Sequence, residues 1–290
     1  MQSLWMLVAG LAFALMGVFV KIASPHFTTA ELVFWRSVVQ IAVAWSMLRH
    51  AGVPVRTPRL GMHVHRGVAG FVSLFMFFYA LATLPVATAM TLNYSSPLFL
   101  AILLAALARE RPDAKLVGTV LLGFAGVVLL LQPTFAADQW WPGLIGLASG
   151  AISAVAYWNV RELVRAKEPE ARVVYYFGVF AFAGSLVWMA PQRWQAPGAG
   201  TWWMLAGVGG LGALGQLAMT RAYGQGSTLV TAALSYSGIV FSSAIGIAWF
   251  GDLLSWPAWI GIALIVAAGI LAVQLRPDRR EDAASPVTND

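Results

Sequence analysis

Ten apolar runs, each about as long as a bilayer is thick, follow one another along this chain with only short polar breaks between them. A hydrocarbon core of about 30 Å is crossed by roughly 20 helical residues. It offers no water to the backbone, so each run must satisfy its own N–H and C=O groups as a helix. The expected spans cover residues 3–22, 30–48, 66–84, 86–107 and 115–132, then 142–161, 172–190, 202–222, 229–249 and 256–275. Between them stand helix-breaking residues such as Ser24-Pro25, Pro54 to Pro58, Pro85, Arg111-Pro112, Pro133, Pro169 and Gly224 to Ser227. Only 10% of the 290 residues are charged and 59% are hydrophobic. A soluble domain carries about 25% charge. The fold class expected is therefore all-α integral membrane, and the lipid bilayer is the first partner.

The distribution of charge gives an orientation. Of the eighteen Lys and Arg, fifteen fall in the segments on the side of the two termini, Arg193 alone falls on the other, and Lys21 and Arg36 lie within spans. Positive residues stay cytoplasmic, so both termini are expected in the cytoplasm and the protein in the inner (plasma) membrane. Basic residues scattered in this way form no nucleic-acid patch despite a net charge of +6. There is no cysteine, which excludes disulfides, thiolate metal sites and a cysteine nucleophile. His63-x-His65, read as part of a loop, has no Cys or carboxylate close by in sequence, and neither metal nor cofactor is expected. An intramembrane enzyme would need paired aspartates, a Ser–His pair or a zinc helix, and no span carries one.

The two halves of the chain echo each other. Leu92-Asn93-Tyr94-Ser95, continuing to Phe99, returns as Leu234-Ser235-Tyr236-Ser237, continuing to Phe241. The same offset sets Glu110 on Asp252, and one more residue sets Gly118, Ala125 and Gly126 on Gly261, Ala268 and Gly269. This divides the chain into a first repeat at 1–135, a second at 136–275 and a disordered cytoplasmic tail at 276–290. Five spans per repeat force the second half to enter the membrane from the opposite side. Inverted repeats are a mark of transporters, with the solute bound between the halves. A duplicated membrane scaffold or regulatory protein is the competing reading.

The paired halves, Arg36 in the second span, the Glu110-Arg111-Pro112 corner and the Gly261-x7-Gly269 pattern resemble the drug/metabolite transporter superfamily in its ten-helix EamA-type branch. Asp252 stands where that branch usually has Glu. Within the branch the chain is similar to YddG-type exporters of aromatic and other amino acids. The resemblance implies export of small metabolites; alternating access follows from the inverted halves, and a monomer is the expected unit.

Polar and aromatic residues deep in the spans are the candidate solute ligands: Tyr79, Asn93, Tyr94, Trp158, Asn159, Tyr236, Ser237 and Ser242. Hydroxyls, amides and aromatic faces suit a neutral or zwitterionic solute, such as an amino acid. The same groups also serve as bonds between membrane helices. Lys21, Glu31 and Arg36 are the embedded charges, candidates for gating or for structural roles. No carboxylate lies within residues 4–20, where an exporter of lipophilic cations would want one, and two embedded cations are few for a phosphate or nucleotide-sugar carrier. Facilitated efflux is expected, with proton coupling through Glu31 as the alternative.

Overall fold

The computed structural model describes residues 1–106, 113–133, 139–190, 194, 196–198, 200–251 and 253–275. The Glu110-Arg111-Pro112 and Asp252 corners, Arg193 and the tail lie outside the described residues. The described chain is all-α. A short 3-10 turn leads into α1 (Trp5–Ala23), followed by α2 (Thr29–His50), α3 (Leu60–Thr83), α4 (Val86–Asn93), α5 (Ser96–Ala106) and α6 (Ala114–Leu131). The second half holds α7 (Trp140–Arg165), α8 (Glu170–Met189), α9 (Trp202–Gln225), α10 (Thr228–Ser235), α11 (Ser237–Ile245), a π turn (Gly246–Phe250) and α12 (Trp256–Gln274). Nine segments among the described residues are long and apolar enough to cross a membrane, counting α4 with α5 and α10 with α11 as one each. The remaining helix, α9, has 24 residues, and glycines dilute its apolarity. The protein is a multi-pass membrane protein.

Those glycines explain where α9 sits. A Cβ at Gly207 or Gly215 would strike Phe19 or Phe13 of α1, and one at Gly209 would strike Val39 of α2. Small residues let membrane helices approach until their backbones nearly touch, and α9 accordingly packs along both α1 and α2. The other principal pairings are α3 with α7, α2 with α8, and α6 with α12. At the last of these, a Cβ at Gly126 would lie 2.7 Å from the Gly261 carbonyl.

The structure departs from the sequence expectations in three places. α3 begins at Leu60 rather than 66, so His63 and Arg66 are helical and buried rather than part of a loop. Arg161 and Arg172, also assigned to loops, are buried in α7 and α8. The expected 229–249 span is interrupted at Tyr236, although it contains no proline.

Candidate functional site

Two interrupted spans meet here. The first break, at Tyr94 and Ser95, follows from Pro97, whose nitrogen cannot donate to the turn before it, so a new helix starts at Ser96. The break lies directly on α7: a Cβ at Gly150 would come within 2.5 Å of Ser95 Oγ and 2.7 Å of the Leu92 carbonyl. The second break, at Tyr236, lies on α1, where a Cβ at Gly10 would be 3.1 Å from the Gly238 nitrogen. Each break thus rests on a glycine of a helix from the other half of the chain. The tyrosines at the two breaks face each other with ring centroids 6.4 Å apart. Tyr94 is half-buried and reaches toward Gly238, whereas Tyr236 is fully buried against Gly123 of α6.

A chain of hydrogen bonds leads away from the first break. Asn93 Nδ2 donates to Ser149 Oγ at 3.0 Å, and Ser149 Oγ donates to the Gly146 carbonyl. Ser73 of α3 bonds to the Ser149 carbonyl at 2.9 Å and to Ser153 Oγ at 2.5 Å. Tyr157 lies one turn further along α7 than Ser153. The Tyr157 ring stacks on Tyr223 of α9 at 4.9 Å.

Two arginines end this path. Arg66 of α3 is 3% exposed, lies 4.2 Å over the Phe177 ring and reaches Gln216 Oε1 of α9 only at 3.5 Å. Its Nε has no hydrogen-bond partner among the described residues. Arg36 of α2 lies against Gly212, one turn before Gln216 on α9, and its buried Nε is likewise unpartnered. No described carboxylate pairs with either. A guanidinium taken out of water without a paired anion costs several kcal/mol. An aromatic face returns about 0.5–2 kcal/mol, so Arg66 is incompletely compensated. The sequence placed Arg66 in a loop, and only its packing against Phe177 and Gln216, residues far along the chain, reveals it as embedded. The count of embedded cations rises accordingly.

The remaining candidates are dispersed. Trp158 carries the Arg161 guanidinium 5.1 Å over its ring, and Asn159 beside it is half-buried. Tyr79 lies on an exposed stripe of α3 with Val68, Val72 and Phe75. Ser237 Oγ bonds within its own chain to the Leu234 carbonyl, and Ser242 is exposed. Lys21 is exposed at the end of α1. Glu31 is buried in a capping box: its carboxylate accepts from the Thr28 N–H at 2.7 Å while Thr28 Oγ1 accepts from the Glu31 N–H. The Thr-x-x-Glu spacing was legible as a helix start.

A second cluster, unseen in the sequence, ties the 54–57 loop to the α7–α8 turn. Lys167, in the left-handed conformation, closes α7 in a Schellman motif, with the Glu168 N–H bonded to the Leu163 carbonyl and the Lys167 N–H to that of Val164. The Glu168 carboxylate then accepts from Thr57 at 2.6 Å, Arg172 at 2.8 Å and His63 Nε2 at 3.3 Å. Arg172 also donates to the Pro54 carbonyl. Burial pushes the Glu168 carboxyl up, but these hydrogen bonds outweigh it and hold it below its ordinary value.

Comparison with known proteins agrees with this architecture. Residues 1–132 match the model of the EamA-like transporter family. The pseudopaline exporter CntI of Pseudomonas aeruginosa is 30% identical over 272 residues, covering 91% of this chain and 90% of that protein. The riboflavin transporter of Vibrio cholerae is 29% identical, covering 96% and 95%. The S-adenosylmethionine uptake transporter of Rickettsia felis is 23% identical, covering 93% and 91%. A solved protein structure shares the fold with a TM-score of 0.84 at 24% identity, over 94% of this chain and 98% of that one. With near-complete coverage of a relative at 30% identity, the chain belongs to the EamA-like transporter family, and it is a small-molecule membrane transporter rather than an enzyme.

Proposed function

We propose that this protein carries small zwitterionic metabolites, amino acids first among them, across the inner membrane by alternating access between two inverted five-helix halves, residues 1–135 and 136–275. The observation that carries the reading is the meeting of the two interrupted spans at Tyr94 and Tyr236. Discontinuous helices free backbone groups at mid-membrane, and transporters place solutes there. The helix packing supports a two-fold relation between the halves, and five spans in each half would make that relation inverted. Exchanging first-half for second-half spans turns the α3–α7 pairing into the α9–α1 pairing and returns the α2–α8 and α6–α12 pairings to themselves. The one-sided distribution of Lys and Arg supports cytoplasmic termini.

The named relatives are attached to different solutes and to both export and uptake, so neither solute nor direction is inherited from them. Asn93, Tyr94, Trp158 and Asn159 are the residues proposed to line the path, with Tyr236 packing against Tyr94 from the second break. The aromatic rings supply area and the amides and hydroxyls supply polarity. Glu31 is committed to capping α2, and the other described acidic residues, Asp113, Glu162, Glu168 and Glu170, lie at or near helix ends. This favours uncoupled transport down the solute gradient, which points outward for amino acids made in the cell.

The test is counterflow of labelled amino acids into proteoliposomes holding the purified full chain, with and without a pH gradient. Saturable counterflow of phenylalanine, leucine or a related amino acid, independent of the gradient, is the expected result. If no amino acid exchanges, the substrate class is wrong. If exchange demands the pH gradient, the transport is proton-coupled.

A further inference from the structure

We infer that Arg36 and Arg66 together form an anion subsite that takes the carboxylate of the transported solute. This rests on the reading of the chain as a carrier of zwitterions and assigns one end of that solute to a place. The two guanidinium groups come from different helices and converge on successive turns of α9, at Gly212 and Gln216. Gly212 is what admits Arg36: a Cβ there would lie 2.7 Å from Arg36 Nε and 3.2 Å from its Cγ. Gly70 admits Arg66 in the same way, since a Cβ there would strike Arg66 Nη1. Small residues thus hollow out room for both cations, while each cation lies within coulombic reach of the other.

Two like charges brought together in a low-dielectric interior are unfavourable unless an anion joins them. Structural arginines elsewhere in this protein have such a partner: Arg172 donates to Glu168 at 2.8 Å, and Arg161 lies 3.3 Å from Glu162. Arg36 and Arg66 have none among the described residues. A guanidinium fork matches a carboxylate in a planar, two-point bond. Phe177 beneath Arg66, and Tyr157 within its coulombic reach, complete a surround suited to an organic acid. One turn from Tyr157 on α7, Ser153 connects through Ser73 and Ser149 to Asn93 at the first break.

The experiment measures thermal stabilisation of the detergent-purified full chain by phenylacetate, phenylacetamide, L-phenylalanine and inorganic phosphate. Phenylacetate and L-phenylalanine are expected to stabilise saturably and the uncharged amide to have no effect. Arg66→Gln and Arg36→Gln should each weaken the apparent affinity for phenylacetate about tenfold, the loss expected when a charge-assisted pair is removed. Arg66→Lys, which keeps the charge but not the fork, should fall between. Equal stabilisation by acid and amide, or wild-type affinity in both Gln variants, would overturn the assignment. The acid-against-amide comparison needs no variant, so it decides even if the Gln variants do not fold. Stabilisation by phosphate without phenylacetate would overturn the carboxylate class. Binding of phenylacetate by a protein that exchanges no amino acid in counterflow would leave the subsite standing and remove the amino-acid reading alone.

Discussion

The two breaks occupy matching places in the two halves, yet their surroundings differ. At the first, Asn93 and Ser95 flank a half-buried Tyr94, and hydrogen bonds run from it into α7 and α3. At the second, Tyr236 is fully buried against Gly123, its hydroxyl has no partner among the described residues, and Ser237 bonds only to its own chain. Each break rests on a glycine, but a Cβ added at Gly150 would come within 2.7 Å of a backbone carbonyl, whereas one at Gly10 would come no nearer than 3.1 Å to any atom. Related sequences have therefore been put to different uses. The first break is wired to its neighbours through polar groups, and the second is packed by apolar contact.

The sharpest way to test that asymmetry is to add one methyl group at each seat. Gly150→Ala forces the new carbon against Ser95 Oγ and the Leu92 carbonyl, and overpacking of this kind costs about 1–3 kcal/mol. Gly10→Ala needs shifts of only a few tenths of an ångström, and the helix propensity gained, about 1 kcal/mol, offsets them. Thermal unfolding in detergent should show Gly150→Ala clearly destabilised and Gly10→Ala near wild type, with counterflow falling in the same order. Equal losses at both sites would mean that the seats are equivalent.

How much of this was visible beforehand differs feature by feature. The helical class and the succession of long apolar spans were legible because bilayer thickness sets run length, and Pro97 marked the interruption beneath Tyr94. The break at Tyr236 carried no such mark, since no proline stands nearby; only its likeness to the Tyr94 segment pointed to it. Arg66 and His63 read as loop residues because polarity near a span end is ambiguous. Their burial depends on Phe177, Gln216 and Glu168, which come from distant parts of the chain. Glu31 read as an embedded charge, although Thr28 three residues earlier held the signature of its capping role. Local rules named the elements, but which polar groups meet one another was a property of packing.

Removing polar side chains at each break has a smaller expected effect. Asn93→Ala deletes the bond to Ser149 between α4 and α7. Such bonds average about 0.6 kcal/mol in membrane proteins, so folding should persist. Counterflow should nonetheless fall about tenfold, the amount that loss of about 1.4 kcal/mol of solute binding would give. Ser237→Ala removes only a bond to the Leu234 carbonyl of its own chain and should leave transport near wild type. A reversal of that order, with Ser237→Ala the more damaging, would move the solute-facing polar groups to the second break.

The smallest effect is expected from Tyr236→Phe, and it is the most diagnostic. A buried hydroxyl without a partner costs about 1–3 kcal/mol of desolvation, so deleting it should leave stability unchanged or slightly raised. The ring that fills the space over Gly123 is retained. If Tyr236 serves only as packing, counterflow is unaffected, whereas Tyr94→Phe, at the break wired to polar neighbours, lowers it. Should Tyr236→Phe abolish counterflow while the unfolding temperature holds, the hydroxyl finds its partner in the solute. The unpaired oxygen would then belong to the binding site, and the second break would be as functional as the first.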